Sequence, residues 1–150
     1  MATPIKDPKE FLAMTVDQLD DLFRNSPAGE IPTGKTDGTA IVAPGTKMSD
    51  DIAWFVNHFT WKGKVFDPAK GELINRIGPM EHKLIVAKVF KGKSWFDDKE
   101  CIVIDYSKTS LIAKWIRDEI REVSPGIYLG LVYGGKKKLI HFALKFPASA

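Results

Sequence analysis

The sequence predicts a mainly β protein: an up-and-down antiparallel β-barrel of about eight strands, with two short helices in its N-terminal half. Three observations lead there. Short β-branched and aromatic segments recur from residue 38 to residue 146, as half-buried strands require. Their connections are tight turns such as "DPAKG", "SPG" and "GGK", not the helical crossovers of about a dozen residues that a parallel sheet needs. A meander of this many strands removes its exposed edges by closing on itself.

In chain order, residues 1–13 are expected to form a loose arm. A helix starts at Thr15, where "TVDQ" has the spacing of a capping box. Val16, Leu19, Leu22 and Phe23 form its apolar stripe, and "NSPAG" ends it. A second helix is expected from Ser49, with Asp50 and Asp51 near the positive end of its dipole and a stripe of Ile52, Phe55, Val56 and Phe59. The strands are expected at 38–43, 63–66, 72–77, 83–90, 100–106, 116–123, 127–133 and 138–146. No repeat or interdomain linker interrupts them, so residues 1–150 are expected to be a single domain.

Alternation assigns the faces. In the last strand Ile140, Phe142, Leu144 and Phe146 are expected inside, and Leu139, His141, Ala143 and Lys145 outside, so that a charge at His141 should be tolerated. Ile102, Ile104 and Tyr106 share an inward phase, as do Ile127, Leu129, Leu131 and Tyr133, and Ile116, Asp118 and Ile120. Three polar groups, Tyr106, Asp118 and Tyr133, thus fall on apolar inward faces. A buried carboxylate needs partners, and the two tyrosines or Arg117 are the candidates.

Bulk properties narrow the function. The net charge of +3 is too small to argue for a polyanion, and the single cysteine, Cys101, cannot form an internal disulfide. The charged, proline-containing "MATPIKDPKEFLAM" is not a signal peptide, and no apolar run is long enough to span a bilayer. A cytoplasmic protein with no membrane partner is therefore expected.

The stretch "WKGKVFD", residues 61–67, carries aromatic residues, lysines and a carboxylate together. It reads chiefly as architecture: Trp61 caps the preceding helix, Gly63 lets the strand bend, and Asp67 starts the "DPAKG" turn. In the functional reading Trp61 and Phe66 line the barrel mouth. Together with "IPTGKTDG" this stretch resembles the bacterial GXWXXG-domain proteins, although no tryptophan precedes Ile31. The segment "IDYSKTSLIAKWIRDEIREVSPGIYLGLVY" is similar to the DUF4334 domain that follows in those proteins. The resemblance implies a lipocalin-like barrel, and it transfers a fold rather than a mechanism.

The chemistry expected of such a barrel is binding of a small apolar molecule. Tyr106, Asp118, Tyr133, Arg117, Trp61 and Phe142 are the candidate ligand-binding residues. The alternative is a cofactor-independent isomerase or cyclase, in which Asp118 is the catalytic acid-base group and the tyrosines steady a developing oxyanion. A side-chain-filled structural barrel is a third class, and oligomerisation stays open. No metal site is expected, because the histidines, His58, His82 and His141, do not cluster with other ligands. No cofactor is expected either: P-loop and GxGxxG motifs are missing, and a haem role for His141 is disfavoured by its outward phase. The basic-aromatic pieces "VFKGKSWF" and "GGKKK" would suit nucleic acid, but acidic residues nearly balance the basic ones. Cys101, mid-strand among apolar neighbours, reads as inert packing.

Overall fold

The computed structural model describes residues 5–41, 61–77, 80–109 and 114–146, with backbone only at 61–62, 76–77 and 80–85. The expected helix from Ser49 with its stripe, Trp54 and His58, and the side chains of Trp61 and His82, lie outside the described residues.

A nearly closed antiparallel barrel of nine strands forms the body. Strands β1 (Gly34–Lys35), β2 (Asp37–Ile41), β3 (Trp61–Asp67), β4 (Glu72–Ile77), β5 (Met80–Lys93), β6 (Glu100–Asp105), β7 (Ile116–Ser124), β8 (Ile127–Gly134) and β9 (Lys137–Lys145) follow one another in the chain. From β3 to β9 each strand pairs with its successor, and the turns expected from "DPAKG", "SPG" and "GGK" make three of the connections. Among the described residues, no helix is long and apolar enough to cross a membrane.

Closure occurs at one residue. The sheet begins with β1 on β3 and ends with β2 on β9. Only Thr36 separates β1 from β2, so one short segment spans both edges of the meander. Thr36 is buried, and its side chain replaces the ladder. Its N–H and Oγ1 donate to the Lys64 carbonyl at 2.9 and 2.8 Å, and Oγ1 accepts from the Lys64 N–H at 3.0 Å. The close approach needs the glycine beside it. Gly63 lies at a β-bulge with φ of +137°, and a Cβ there would stand 2.3 Å from the Thr36 carbonyl oxygen.

The described part of the N-terminal arm, residues 5–13, is not loose, contrary to expectation. Asp7 caps a 3-10 helix, Pro8–Ala13, through a capping box with Glu10. Phe11 is fully buried and anchors the helix to the barrel exterior. The expected capping box at Thr15 is present: Thr15 Oγ1 accepts from Gln18 N at 3.1 Å, and Gln18 Oε1 accepts from Thr15 N at 2.9 Å. The helix it starts, α1 (Val16–Arg24), buries Leu19 and Phe23 on the same exterior.

The barrel wall therefore has two apolar faces. The interior holds Phe66, Leu73, Val89, Ile102, Ile104, Ile120, Phe142 and Leu144, as alternation predicts for β6, β7 and β9. In β8 the assignment is inverted: Ile127, Leu129, Leu131 and Tyr133 face outward beneath the helices with Cys101, Val103 and Ala143, while Tyr128 and Val132 belong to the interior. The physical reason is Gly130. The Phe142 ring occupies its inward side, so that a Cβ there would stand 2.3 Å from the ring, and the bulkier phase of β8 is the one the helices cover. His141 faces outward as expected but is not in solvent: α1 covers it, and its Nε2 is 2.7 Å from Asp20 Oδ1.

Gly63→Ala should cost roughly 3–5 kcal/mol in denaturant melts or prevent folding, because backbone atoms block the new methyl. Gly34→Ala, with positive φ but open space around it, should cost only about 1–2 kcal/mol. His141→Asp, expected to be tolerated from its phase alone, should instead lower stability by about 2–3 kcal/mol, because it sets a second carboxylate against Asp20. Retention of wild-type melting by either Gly63→Ala or His141→Asp would contradict these placements.

Candidate functional site

The interior wall carries a compact polar group among its hydrocarbon side chains. Lys64 of β3, Asn75 of β4, Tyr106 at the end of β6 and Asp118 of β7 all point inward and are all buried. Pairing explains the convergence. Lys64 is directly opposite Asn75, and Asp118 is directly opposite Ile104, two residues before Tyr106 on the same face.

Lys64 is the hub. Its Nζ donates to Tyr106 Oη at 2.6 Å and Asn75 Oδ1 at 2.8 Å, and pairs with Asp118 Oδ2 at 3.1 Å. Asn75 Nδ2 donates to Tyr106 Oη at 2.8 Å, and Tyr106 Oη lies 3.3 Å from Asp118 Oδ2. The second carboxylate oxygen, Asp118 Oδ1, is buried and has no hydrogen-bond partner among the described residues. Burial is the leading influence on all three titratable groups. It raises the Asp118 pKa against the pull of Lys64, lowers that of Lys64 against the pull of Asp118, and lifts the Tyr106 phenol well above its usual range. The aromatic face of Phe142 lies beside the ammonium, 5.4 Å from Nζ to the ring centroid.

Beyond this group the described interior side chains are mainly apolar, and several of them are aromatic. Phe66 and Tyr128 both contact Phe146, at 6.0 and 5.4 Å between centroids. The Tyr128 hydroxyl donates to the Glu30 carbonyl at 2.8 Å. Phe66 therefore lines the interior, two residues along β3 from Lys64 on the same face.

Of the residues expected at the site, the structure brings Tyr106, Asp118 and Phe142 together and separates two others. Tyr133 is on the outer face of β8 against Trp95, with ring centroids 5.4 Å apart, and burial, aided by Glu119, raises its phenol pKa. Arg117 does not turn to Asp118. It donates to Glu119 Oε2 at 3.1 Å and to the Lys93 carbonyl at 2.8 Å, with its guanidinium over Trp95. The side chain of Trp61 is outside the described residues. Cys101 is buried on the outer phase, its thiol pushed up to about 12 by burial first and Glu119 second, which keeps it protonated and unreactive.

Sequence reasoning missed Lys64 and Asn75, although a signal existed. In "WKGKVFD" Lys64 shares the phase of Phe66, and in "ELINRI" Asn75 shares that of Leu73, so placing the apolar residues inside places the polar ones there too.

No family model matches this sequence, and no curated protein matches it. A solved crystal structure of a protein from Thermomonospora curvata is similar in fold, with a TM-score of 0.67 at 15% identity, over 93% of this chain and 92% of that one. At that identity the likeness shows the barrel fold alone.

Lys64→Met leaves the Asp118 carboxylate buried without its cation, which should cost about 3–5 kcal/mol near neutral pH. A carboxyl whose pKa is raised on folding contributes stability that is present below its unfolded value and is lost as pH rises through the folded value. The Lys64→Met deficit should therefore shrink as pH falls toward the ordinary carboxylate value of 3.8. Lys64→Met combined with Asp118→Leu should regain most of the lost stability. Denaturant melts across pH check all three; a pH-independent deficit would mean that Asp118 is not the group left exposed to burial.

Proposed function

We propose that the barrel interior binds a small, mainly apolar molecule, held by hydrocarbon walls and oriented by the polar group at Lys64, Asn75, Tyr106 and Asp118. The observation that carries this reading is the Lys64–Asp118 pair buried on an inward face that is otherwise mostly aliphatic and aromatic among the described residues. A buried ion pair is an expensive way to stabilise a fold, since well-packed apolar residues do as well or better. Small-molecule sites combine such apolar walls with a few convergent polar groups.

Membership of the GXWXXG and DUF4334 proteins belongs to the same proposal. Its two motif stretches, 31–38 and 61–67, lie side by side here, with Gly34 opposite Phe66 and Lys35 opposite Val65. The motif thus coincides with the place where the barrel closes.

A catalytic reading uses the same residues. A carboxyl whose pKa burial has raised is suited to moving a proton in an apolar site, as an isomerase or cyclase requires. Loss of turnover with retained binding in Asp118→Asn, for any substrate found, would favour it.

Binding is tested by methyl NMR with isoleucine and leucine labels and a naphthalene-based probe. Ile102, Ile104 and Ile120 line the interior, whereas Leu129 and Leu131 face the helices. Titration should shift the three isoleucine methyls and leave the two leucines in place. Shifts confined to Leu129 and Leu131, or no shifts, would overturn the interior site.

A further inference from the structure

We infer that the molecule bound in the barrel presents a neutral hydrogen-bond donor, such as an alcohol, phenol or amide N–H, to Asp118 Oδ1. The inference rests on the interior-binding reading and names the chemistry of its ligand.

Counting hydrogen bonds leads to this class. An ammonium has three protons, and Lys64 Nζ meets three oxygens: Asn75 Oδ1, Tyr106 Oη and Asp118 Oδ2. Tyr106 Oη already accepts from Lys64 and from Asn75 Nδ2, so its own proton is directed to Asp118 Oδ2. Both donors reaching Asp118 therefore meet Oδ2. Asp118 Oδ1 is left as a buried acceptor without a partner among the described residues, and such an atom forgoes the hydrogen bonds it had in water. An incoming O–H or N–H would restore what burial removed.

Charge narrows the class further. The Lys64–Asp118 pair is neutral as a unit, so a cationic ligand would add an uncompensated charge to an apolar interior, at a high desolvation cost. An anionic ligand would meet the Asp118 carboxylate. An ether or ketone would bring one acceptor against another. Only a neutral donor satisfies Oδ1 without introducing a net charge.

The proposal makes a directional claim about one substitution. In Asp118→Asn the oxygen facing Lys64 and Tyr106 must still accept, so the amide places its carbonyl there and its NH2 where Oδ1 was. The open position then changes from acceptor to donor. Naphthol, methoxynaphthalene and naphthoate share one apolar body and present, in turn, a neutral donor, a methyl-capped acceptor and an anion. By methyl NMR titration, wild-type protein should bind naphthol at least about tenfold more tightly than methoxynaphthalene, and naphthoate least. Asp118→Asn should remove the preference for naphthol over methoxynaphthalene, because both offer an oxygen that accepts from the new NH2.

Equal affinity of wild-type protein for naphthol and methoxynaphthalene, with the interior isoleucine methyls shifting for both, would overturn this inference while leaving interior binding intact. No interior shift with any probe would overturn the binding reading and this inference with it. A retained naphthol preference in Asp118→Asn would also overturn it. Should that variant not fold, the wild-type ratio decides by itself.

Discussion

Lys64 joins two tasks that the rest of the structure depends on. Its main chain exchanges hydrogen bonds with Thr36, the residue at which one segment crosses from the first edge of the meander to the last. Its side chain, leaving the same Cα, is the hub of the buried polar group. Sheet edges are sticky because their N–H and C=O groups are unpaired, and this crossing covers both edges with eight residues, 34–41. Gly63 makes the approach possible, since no residue with a Cβ fits against the Thr36 carbonyl. Barrel closure and the position of the Lys64 ammonium are consequently set by one contact.

The outer face shows how buried charge is used when its purpose is to hold elements together. Glu119 is fully buried, yet its carboxylate is well supplied: Ser94 Oγ donates at 2.5 Å, Trp95 N at 2.7 Å, and Arg117 completes the set. Arg121 makes a bidentate pair with Asp97 at 2.7 Å, donates to the Phe23 carbonyl at 3.0 Å, and lies over the Phe23 ring. These two residues fasten the loop at 94–99 and the end of α1 to the barrel. Asp20 fastens the middle of α1 through His141 and Lys138. Burial first, with Lys138 also contributing, lowers the His141 pKa despite the opposing pull of Asp20, consistent with a neutral ring donating to the carboxylate.

The interior group differs from these in one respect. The outer carboxylate of Glu119 has donors on both oxygens, whereas among the described residues Asp118 has donors on one only. A purely structural ion pair gains from saturating both oxygens, because an unmet buried acceptor weakens the fold. The asymmetry is what a site for a further donor would have, and it supports the proposed interior ligand more directly than the apolar lining does.

Much of this was legible in the residues themselves. β-branched runs and turn dipeptides located the strands from β2 onward and their antiparallel order, because period-two patterning and tight turns are local properties. The Thr15 capping box was equally readable, its two hydrogen bonds spanning three residues. Alternation brought Tyr106 and Asp118 to one face correctly. It failed in "IYLGLVY", where both phases are apolar and no local signal says which one lies under a helix. It also could not tell that Lys64 meets Tyr106, a contact between residues 42 apart in the chain. The sequence alone determined the strands, their turns and the inward phase wherever one phase is polar. Only the tertiary structure decided which face the helices cover and which partners Asp118 has, because those depend on barrel curvature and on side chains meeting across strands distant in the chain.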